Sequence, residues 1–447
     1  MNKPPESTAA TFRRWSLLPL ALFLLVYVGG GLYFSLGGNE KGFYAFPPVF
    51  ATIPSILLAL FLAKRFNAEF FRPFAQGVLN KNVLLMCAIF ALSGMFSAIA
   101  EQSGCVKATV NLGLSVIPTG FLLAGFFVLS SLMATAMGTS VGTVAALAPI
   151  ALGMAQTADV SIVFMAGVLL SGAMFGDNLS LISDTSIAAT STQDCHPREK
   201  FLENVKIVAP AALGLLILYW VLSPSVPVDV TPNEHFGLVL PYVLIFVLAV
   251  IGVPVLMVLG LGCIVAACVG MYFQGMTLVE IPAVYLEGAL SLFDFMLFTL
   301  VISGLGMLAE KSGGLALIQQ AVMAGVSRLI TNNESKKNQQ SIGEIAIGLL
   351  VSLSNLATAN NTIAILLSGS AARAISEQAQ ISKKRAASIL DIFSCIVQGL
   401  IPWGMQILII SAVFKISPVD VPLYVFYPWC LLMAVGINIW IKKARLE

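Results

Sequence analysis

The sequence predicts an all-α polytopic membrane protein built from two inverted repeats, with re-entrant hairpins and broken transmembrane helices. Hydrophobic residues make up 58% of the 447 positions and charged residues only 10%, a balance that a water-soluble domain of this length does not need. Many apolar segments approach the roughly 20 residues that span a bilayer. Two distant stretches of the chain also share a pattern of small and polar residues.

The elements follow one another as a tail, a first repeat, a connection and a second repeat. Residues 1–14 are expected to form a cytoplasmic N-terminal tail, residues 15–222 the first transmembrane repeat and residues 237–441 the second. The segments expected to span, two of them broken, are 15–36, 46–63, 82–101, 160–190 (broken), 202–222, 237–252, 254–272, 292–310, 381–416 (broken) and 420–441. Re-entrant hairpins are expected at about 118–156 and 341–377, and interfacial arm helices at 102–117 and 313–328.

Basic residues predict the orientation of these segments. If each hairpin enters and leaves on one side, all of the 24 Lys and Arg residues except Lys41, Lys107 and Lys415 fall on the same side. Because Lys and Arg collect in cytoplasmic loops, that side is the cytoplasm, and both chain termini are expected there. Lys200 and Arg385 count among these cytoplasmic charges.

An internal repeat connects the two halves. The run Ser131–Thr139 is echoed by Ser354–Thr362 with the shared pattern S-x-x-A-T-A-x-x-T, and Ala100–Gly104 is echoed by Ala309–Gly313. The charge map gives the first hairpin an outside entry and the second an inside entry, so the repeats are inverted. Paired broken helices in inverted repeats recur in secondary transporters, with the solute site where the repeats meet. Alternatively, the Ser and Thr clusters only hold packed helices together.

The run from Gly176 to Thr185, G-D-N-L-S-L-I-S-D-T, carries two carboxylates directly after the apolar stretch 160–175. Ionisable groups at membrane depth are costly and usually functional. A bound cation and a proton compete for one poorly hydrated carboxylate, which is the minimal chemistry of antiport. Gly176 and Asn178 predict a break in the helix. The alternative role for Asp177 or Asp184 is to cap the half helix that follows.

A second break is expected at Pro402, between Gly399 and Gly404, because proline and glycine interrupt helices. The polar side chains at the two breaks and two hairpin tips are the candidate binding residues. They are Asp177, Asn178, Ser180, Ser183, Asp184, Thr135, Thr139, Ser354, Asn355, Thr358, Asn360, Asn361, Thr362, Asp391, Gln398 and Trp403.

Two kinds of ligand suit these residues. Hard cations prefer oxygen ligands, so a sodium ion is expected at Asp177, Asn178 and Ser180. Half-helix N-termini next to the tips could hold an anionic group. Trp403 is either a packing residue or a wall of the solute cavity.

Several function classes find no support in the sequence. The seven cysteines include no C-x-x-C pair, and two histidines are too few for a metal cluster. No Ser-His-Asp set, P-loop or dinucleotide fingerprint occurs, so neither an enzyme nor an ATP-driven pump is expected. A net charge of +2 does not suggest nucleic acid. No cofactor is expected beyond sodium or protons as coupling ions.

The run from Gly172 to Thr185 closely resembles the G-A-x-F-G-D-N-x-S-P-I-S-D-T signature of the NhaC family of bacterial sodium/proton antiporters. Leu181 stands where that family commonly has proline. The stretch Leu400–Trp403 resembles a P-W break of the family's second repeat. The resemblance implies a scaffold part and a moving transport part, usually in a homodimer, in the bacterial cytoplasmic (inner) membrane.

The leading interpretation is therefore a secondary active sodium/proton antiporter that works by alternating access, with Asp177 as the shared carboxylate. The alternative is sodium- or proton-coupled transport of a small organic solute, such as an amino acid or a carboxylate. The expected partners are membrane lipid, the transported ion or solute, and a second copy of the chain.

Overall fold

The computed structural model describes residues 13–36, 48–118, 120–224, 235–331 and 335–444. Within these ranges every regular element is helical. The predicted tail 1–14 lies almost entirely outside the described residues, as do Lys3, Lys41 and Arg445 from the charge map. The predicted fold class is confirmed at the level of an all-helical chain with about ten helices able to cross a membrane.

The helices of the first half come in the order that the sequence predicts. They are α1 (Leu18–Leu36), α2 (Pro48–Arg65), α3 (Phe71–Val78), α4 (Lys81–Gln102), α5 (Cys105–Val116), α6 (Leu122–Met137), α7 (Ser140–Thr157), α8 (Ile162–Leu179), α9 (Asp184–Gln193) and α10 (Pro197–Leu222).

A 3₁₀ turn at Phe236–Val239 opens the second half. Its helices are α11 (Leu240–Val250), α12 (Val255–Gln274), α13 (Ile281–Ser291), α14 (Phe293–Lys311), α15 (Gly314–Thr331), α16 (Lys336–Thr358), α17 (Asn361–Gln378), α18 (Lys383–Leu400), α19 (Met405–Phe414), α20 (Val421–Tyr424) and α21 (Phe426–Ala444).

The two halves repeat one order of elements. In both, a long helix (α2, α12) precedes a short helix (α3, α13), a long helix (α4, α14) and an arm (α5, α15). A hairpin (α6–α7, α16–α17), a broken helix (α8–α9, α18–α19) and a final helix (α10, α21) follow. The sequence did not predict α3, α13 or α20, which are too short to give a spanning signal. The opposite orientation of the two halves in the bilayer stays a prediction.

The short helices cross between the halves in a reciprocal way. Helix α3 packs on α14, and α13 packs on α4. At each crossing two glycines meet, Gly77 with Gly304 and Gly94 with Gly288, and a methyl group on Gly77, Gly94 or Gly288 would collide with partner backbone. Small residues let helix backbones approach closely in membranes, so these crossings join the two halves into one scaffold.

Both hairpins turn on a residue in the left-handed region. Gly138 has φ of +65° and Ala359 has φ of +52°. The return helices begin directly afterwards, with Thr139 and Asn360 as their N-caps. The return arm α7 packs on α19, and the return arm α17 packs on α9. The return arm of each hairpin therefore packs against the second part of the other half's broken helix.

Each predicted span corresponds to a helix or a broken helix. The breaks fall at residues 180–183 and 401–404, so the second break is where Pro402 predicts it and the first comes slightly after the predicted Gly176 and Asn178. Helix α7 and the apolar part of α16 are also long and apolar enough to cross a bilayer. Length alone therefore does not distinguish a hairpin arm from a full span.

Candidate functional site

The first break is closed by short hydrogen bonds to the first hairpin. Ser180 Oγ donates to Thr135 O at 3.0 Å, and Thr135 Oγ1 donates to Gly176 O at 3.2 Å. Ser183 is the N-cap of α9 and accepts from Ser186 N at 3.2 Å. Three of the predicted site residues, Thr135, Ser180 and Ser183, thus fix the shape of the break.

Close packing of α8 on α6 holds this region together. A methyl group on Gly172 would collide with Ser130 and with Phe127 O, and one on Gly176 would collide with Ser131 O and lie 2.7 Å from Ala134 Cβ. The spacing of these two glycines is the small-xxx-small pattern that allows intimate helix contacts. The two glycines therefore bring the end of α8 against the hairpin.

Asp177 contacts the tip of the first hairpin. Its Oδ2 accepts from Ser140 N at 3.2 Å and from Ser140 Oγ at 2.7 Å. Ser140 is the first residue of α7, so the carboxylate lies at a helix N-terminus, where partial positive charge stabilises an anion. Asp177 is 5% exposed.

A chain of hydrogen bonds continues from Asp177 to the second hairpin. Gln406 Nε2 donates to Ser140 Oγ at 3.0 Å, and Gln398 Nε2 donates to Gln406 Oε1 at 2.9 Å. The same Gln398 amide lies 3.4 Å from Ala359 O at the second tip. All five residues are buried. A polar path therefore joins both tips through both broken helices.

A cavity of about 210 Å³ opens between the tips and the breaks. Its walls combine carboxylate, hydroxyl and amide groups with apolar side chains. The lining residues are Leu85, Met86, Ile89, Met137, Gly138, Thr139, Ser140, Val141, Asp177, Ile182, Asp184, Thr185, Val255, Asn360, Asn361, Thr362, Met405 and Gln406. Asp177 is nearly enclosed, whereas Asp184 is exposed.

Four helix N-termini border this cavity. Helices α7, α9, α17 and α19 begin at residues 140, 184, 361 and 405, and each first residue or its neighbour lines the cavity. Each N-terminus carries a partial positive charge of roughly half an elementary charge. Two carboxylates, Asp177 and Asp184, oppose this field, and the lining contains no basic side chain among the described residues.

Thr358 and Trp403 are not among the residues that line this cavity. A smaller pocket of about 20 Å³ is lined by Thr358, Asn360 and Trp403 among others. The Trp403 ring also contacts Phe23 edge-on, with centroids 6.0 Å apart, so Trp403 packs against Phe23 and lines the smaller pocket but not the cavity between the tips.

Two further predicted residues make structural contacts in the second hairpin. Ser354 Oγ accepts from Ser368 Oγ at 2.9 Å, and Asn355 Nδ2 donates to Ser394 O at 2.9 Å. These bonds join α16 to α17 and to α18.

A second polar cluster lies behind the cavity wall, around Asp391. Asp391 Oδ2 accepts from Asn178 Nδ2 at 2.9 Å and from Asn204 Nδ2 at 3.0 Å, and it lies 2.5 Å from Lys200 Nζ. The expected sodium ligands Asp177, Asn178 and Ser180 thus have separate partners. The Asn178 amide is bonded to Asp391 and the Ser180 hydroxyl to Thr135.

Lys200 and Arg385 differ from the sequence prediction. Both were expected to be cytoplasmic loop charges, but they are 1% and 3% exposed. Lys200 pairs with Asp391, and Arg385 makes a two-fold hydrogen bond to Glu344 at 2.9 and 2.7 Å. Helix α10 starts at Pro197, about one turn earlier than expected, and its first turns are buried against α18. One feature of the sequence indicated this burial. Lys200 and Asn204 form a polar pair one turn apart at the start of an otherwise apolar helix.

Sequence reasoning also left Ser140 and Gln406 out of the site. Both are uncharged, and only the contact between the two halves brings them together, with Gln406 Nε2 donating to Ser140 Oγ. The S-x-x-A-T-A-x-x-T pattern pairs Thr139 with Thr362, whereas the N-caps are Thr139 and Asn360. The second tip therefore turns two residues earlier than the pattern implies.

Comparisons with known proteins agree with this architecture. A sequence model described as the Na+/H+ antiporter family matches residues 49–223. The chain is 23% identical over 464 residues to the Malate-2H(+)/Na(+)-lactate antiporter of Bacillus subtilis, covering 94% of each chain. It is 23% identical over 393 residues to the Na(+)/H(+) antiporter NhaC of Bacillus subtilis, covering 80% of this chain and 83% of that one. It is 25% identical over 383 residues to the arginine/ornithine antiporter ArcD of Halobacterium salinarum, covering 79% and 77%.

Proposed function

Because the chain belongs to the Na+/H+ antiporter family, we propose that it exchanges sodium ions for protons across the membrane by alternating access. One observation carries this proposal. Asp177 lines the cavity while Ser140, at the tip of the first hairpin, donates two hydrogen bonds to a single carboxylate oxygen. A carboxylate held in this way is a single anionic site to which a sodium ion or a proton binds, but not both.

The exchange follows from that exclusion. A proton on Asp177 removes the charge that a sodium ion needs, and a sodium ion opposes protonation by its own positive charge. If the transport part reorients only when the carboxylate is neutralised, each sodium ion crossing one way is followed by protons crossing the other way. Thr139, Asn360, Asn361 and Thr362 supply further oxygen atoms for the ion. Asp184, exposed in the cavity lining, is the second acidic group.

A second candidate function is transport of a small organic solute in exchange for, or together with, these ions. The cavity volume of about 210 Å³ exceeds the roughly 30 Å³ share of one water molecule several times. Apolar side chains of Met86, Met137 and Met405 line it beside the polar tips. Four helix N-termini favour a carboxylate whenever Asp177 is protonated. Two relatives, the Malate-2H(+)/Na(+)-lactate antiporter and the arginine/ornithine antiporter ArcD, are antiporters named for organic solutes of this size.

Reconstituted vesicles test the two functions. With an acidic lumen and a trapped pH dye, external sodium alone should raise the luminal pH if the chain is a sodium/proton antiporter. Absence of any response to sodium, together with uptake of a labelled carboxylate or amino acid, would favour the second candidate.

A matched pair of variants tests the site itself. Asp177→Asn should abolish the sodium response. Asp194→Asn should keep it, since Asp194 is exposed and pairs with Lys383 on the surface at 2.7 Å. Equal activity of Asp177→Asn and the wild type would remove Asp177 from the mechanism.

We also infer that this multi-pass protein resides in the bacterial cytoplasmic membrane as a homodimer with both termini in the cytoplasm. The charge map supports the orientation. A fluorescent protein that folds only in the cytoplasm, fused to the C-terminus, should be bright, and native mass spectrometry should give twice the chain mass of 47.4 kDa.

A further inference from the structure

A buried ammonium group fills a pocket of oxygen atoms behind the wall of the cavity. Lys200 Nζ lies 2.5 Å from Asp391 Oδ2, 2.7 Å from Ser186 Oγ and 3.3 Å from Asn178 O. A lysine ammonium has three N–H donors, so each donor has its own oxygen acceptor. None of these four residues is among those that line the cavity.

The acceptors are of the kind that binds small cations. They comprise a carboxylate, a hydroxyl and a main-chain carbonyl, and hard cations prefer such oxygen ligands. Asn178 is in the last turn of α8 and Ser186 in the first turn of α9, so the pocket lies at the break of the first half. The C-terminal end of a half helix carries partial negative charge and is a recurrent cation ligand in transporters.

The pocket also has more oxygen than the lysine satisfies. Asp391 is fully buried, and its Oδ1 has no hydrogen-bond partner among the described residues. Asn204, which donates to Asp391 Oδ2, likewise has a buried Oδ1 without a partner in this part of the chain. A buried carboxylate with one free oxygen is strongly unfavourable without a positive charge beside it.

We propose that this pocket is a monovalent-cation site that Lys200 occupies permanently, in place of a free ion. The lysine then neutralises Asp391 and ties α8, α9 and α18 together, which leaves Asp177 as the exchangeable site. Shortening Lys200 to alanine opens the pocket to a sodium ion or to a small primary ammonium ion. The proposal concerns binding to the folded protein, so it holds or fails independently of which solute the cavity carries.

Thermal unfolding of purified protein in lipid nanodiscs tests the proposal. Lys200→Ala should melt well below the wild type in choline chloride, because Asp391 loses its counter-charge. Replacing choline by sodium or n-propylammonium at equal ionic strength should raise the melting temperature by several degrees in a saturable way, since a ligand of the folded state stabilises it by mass action. Propylammonium restores both the charge and most of the missing side-chain volume.

Lys383→Ala is the matched control. Lys383 also pairs with an aspartate, Asp194, at 2.7 Å, but its side chain is 62% exposed. This variant keeps the cavity intact, so it reports any sodium binding there. The shift of Lys200→Ala should exceed that of Lys383→Ala, and the excess should vanish in Lys200→Ala/Asp391→Asn. Equal shifts in Lys200→Ala and Lys383→Ala would overturn the proposal.

The double variant also decides the case in which Lys200→Ala fails to fold. Removing both charges eliminates the uncompensated buried carboxylate, so the double variant should give a single symmetric peak in size-exclusion chromatography. A double variant as aggregated as Lys200→Ala alone would show that charge compensation is not what the lysine supplies.

Discussion

Gly176→Ala should separate the end of α8 from the first hairpin. The added methyl group would collide with Ser131 O and lie 2.7 Å from Ala134 Cβ. Because one of the obstacles is main chain, α8 must move away from α6 to make room for the methyl group. Overpacking of this kind costs about 1–3 kcal/mol. The same movement changes the position of Asp177 relative to Ser140, whose Oγ is now 2.7 Å from Asp177 Oδ2.

Gly214→Ala is the matched control for this change. Gly214 lies within α10, and a methyl group there would meet nothing within 4 Å. Both substitutions gain the same helix propensity, about 1 kcal/mol, so this gain cancels in the comparison. Gly176→Ala should therefore be less stable than Gly214→Ala by about 1–3 kcal/mol.

Thermal unfolding in nanodiscs and sodium-driven proton exchange in vesicles measure the two effects. Gly214→Ala should match the wild type in exchange, and Gly176→Ala should exchange more slowly. If the two variants had the same melting temperature and the same exchange rate, the close packing of α8 on α6 would not be what positions Asp177.

Three further changes address single contacts. Ser140→Ala removes a hydrogen bond to a charged acceptor, worth about 1.5–3 kcal/mol, which is roughly ten- to a hundredfold in an equilibrium constant. Half-maximal exchange should therefore need roughly ten- to a hundredfold more sodium. Ser115→Ala on α5, whose hydroxyl donates to Leu112 O in the same helix, should leave the requirement unchanged. Glu344→Gln leaves the Arg385 charge under-compensated and should lower the free energy of unfolding by about 3–5 kcal/mol. Glu69→Gln, at the exposed surface, should change it little. Equal melting temperatures for the two variants would contradict a stabilising role of the buried pair. Gly138→Ala places a side chain at φ of +65° and should cost about 1–2 kcal/mol; an unchanged melting temperature would show that the tip has relaxed.

The sequence predicted the parts of the fold that depend on local pattern. Apolar length located the spans, and Pro402 with its flanking glycines located the second break. The arms at 102–117 and 313–328 correspond to α5 and α15. These features follow from hydropathy and backbone preference over a few turns, so no knowledge of tertiary contacts is needed to see them.

The contacts between the halves were harder to predict from the sequence. Asp177 and Asp184 line one cavity together with four of the predicted tip residues, Thr139, Asn360, Asn361 and Thr362. Ser140 and Gln406 are recognisable as site residues only when the halves meet. Hydropathy places the charged start of a helix in water and so predicts an exposed Lys200, whereas the burial of Lys200 depends on Asp391, which is distant in the sequence. The second hairpin turns at Ala359, two residues before the position that the repeat pattern indicates, because Asn360 caps α17 there.

Proton release on sodium binding tests most directly whether one carboxylate serves both ions. Sodium chloride is added to purified protein in weakly buffered solution containing a pH dye, with choline chloride as the reference. The wild type and Asp194→Asn should release protons in a saturable way as sodium displaces them, and Asp177→Asn should release none. Equal release from Asp177→Asn and the wild type would contradict the central role of Asp177.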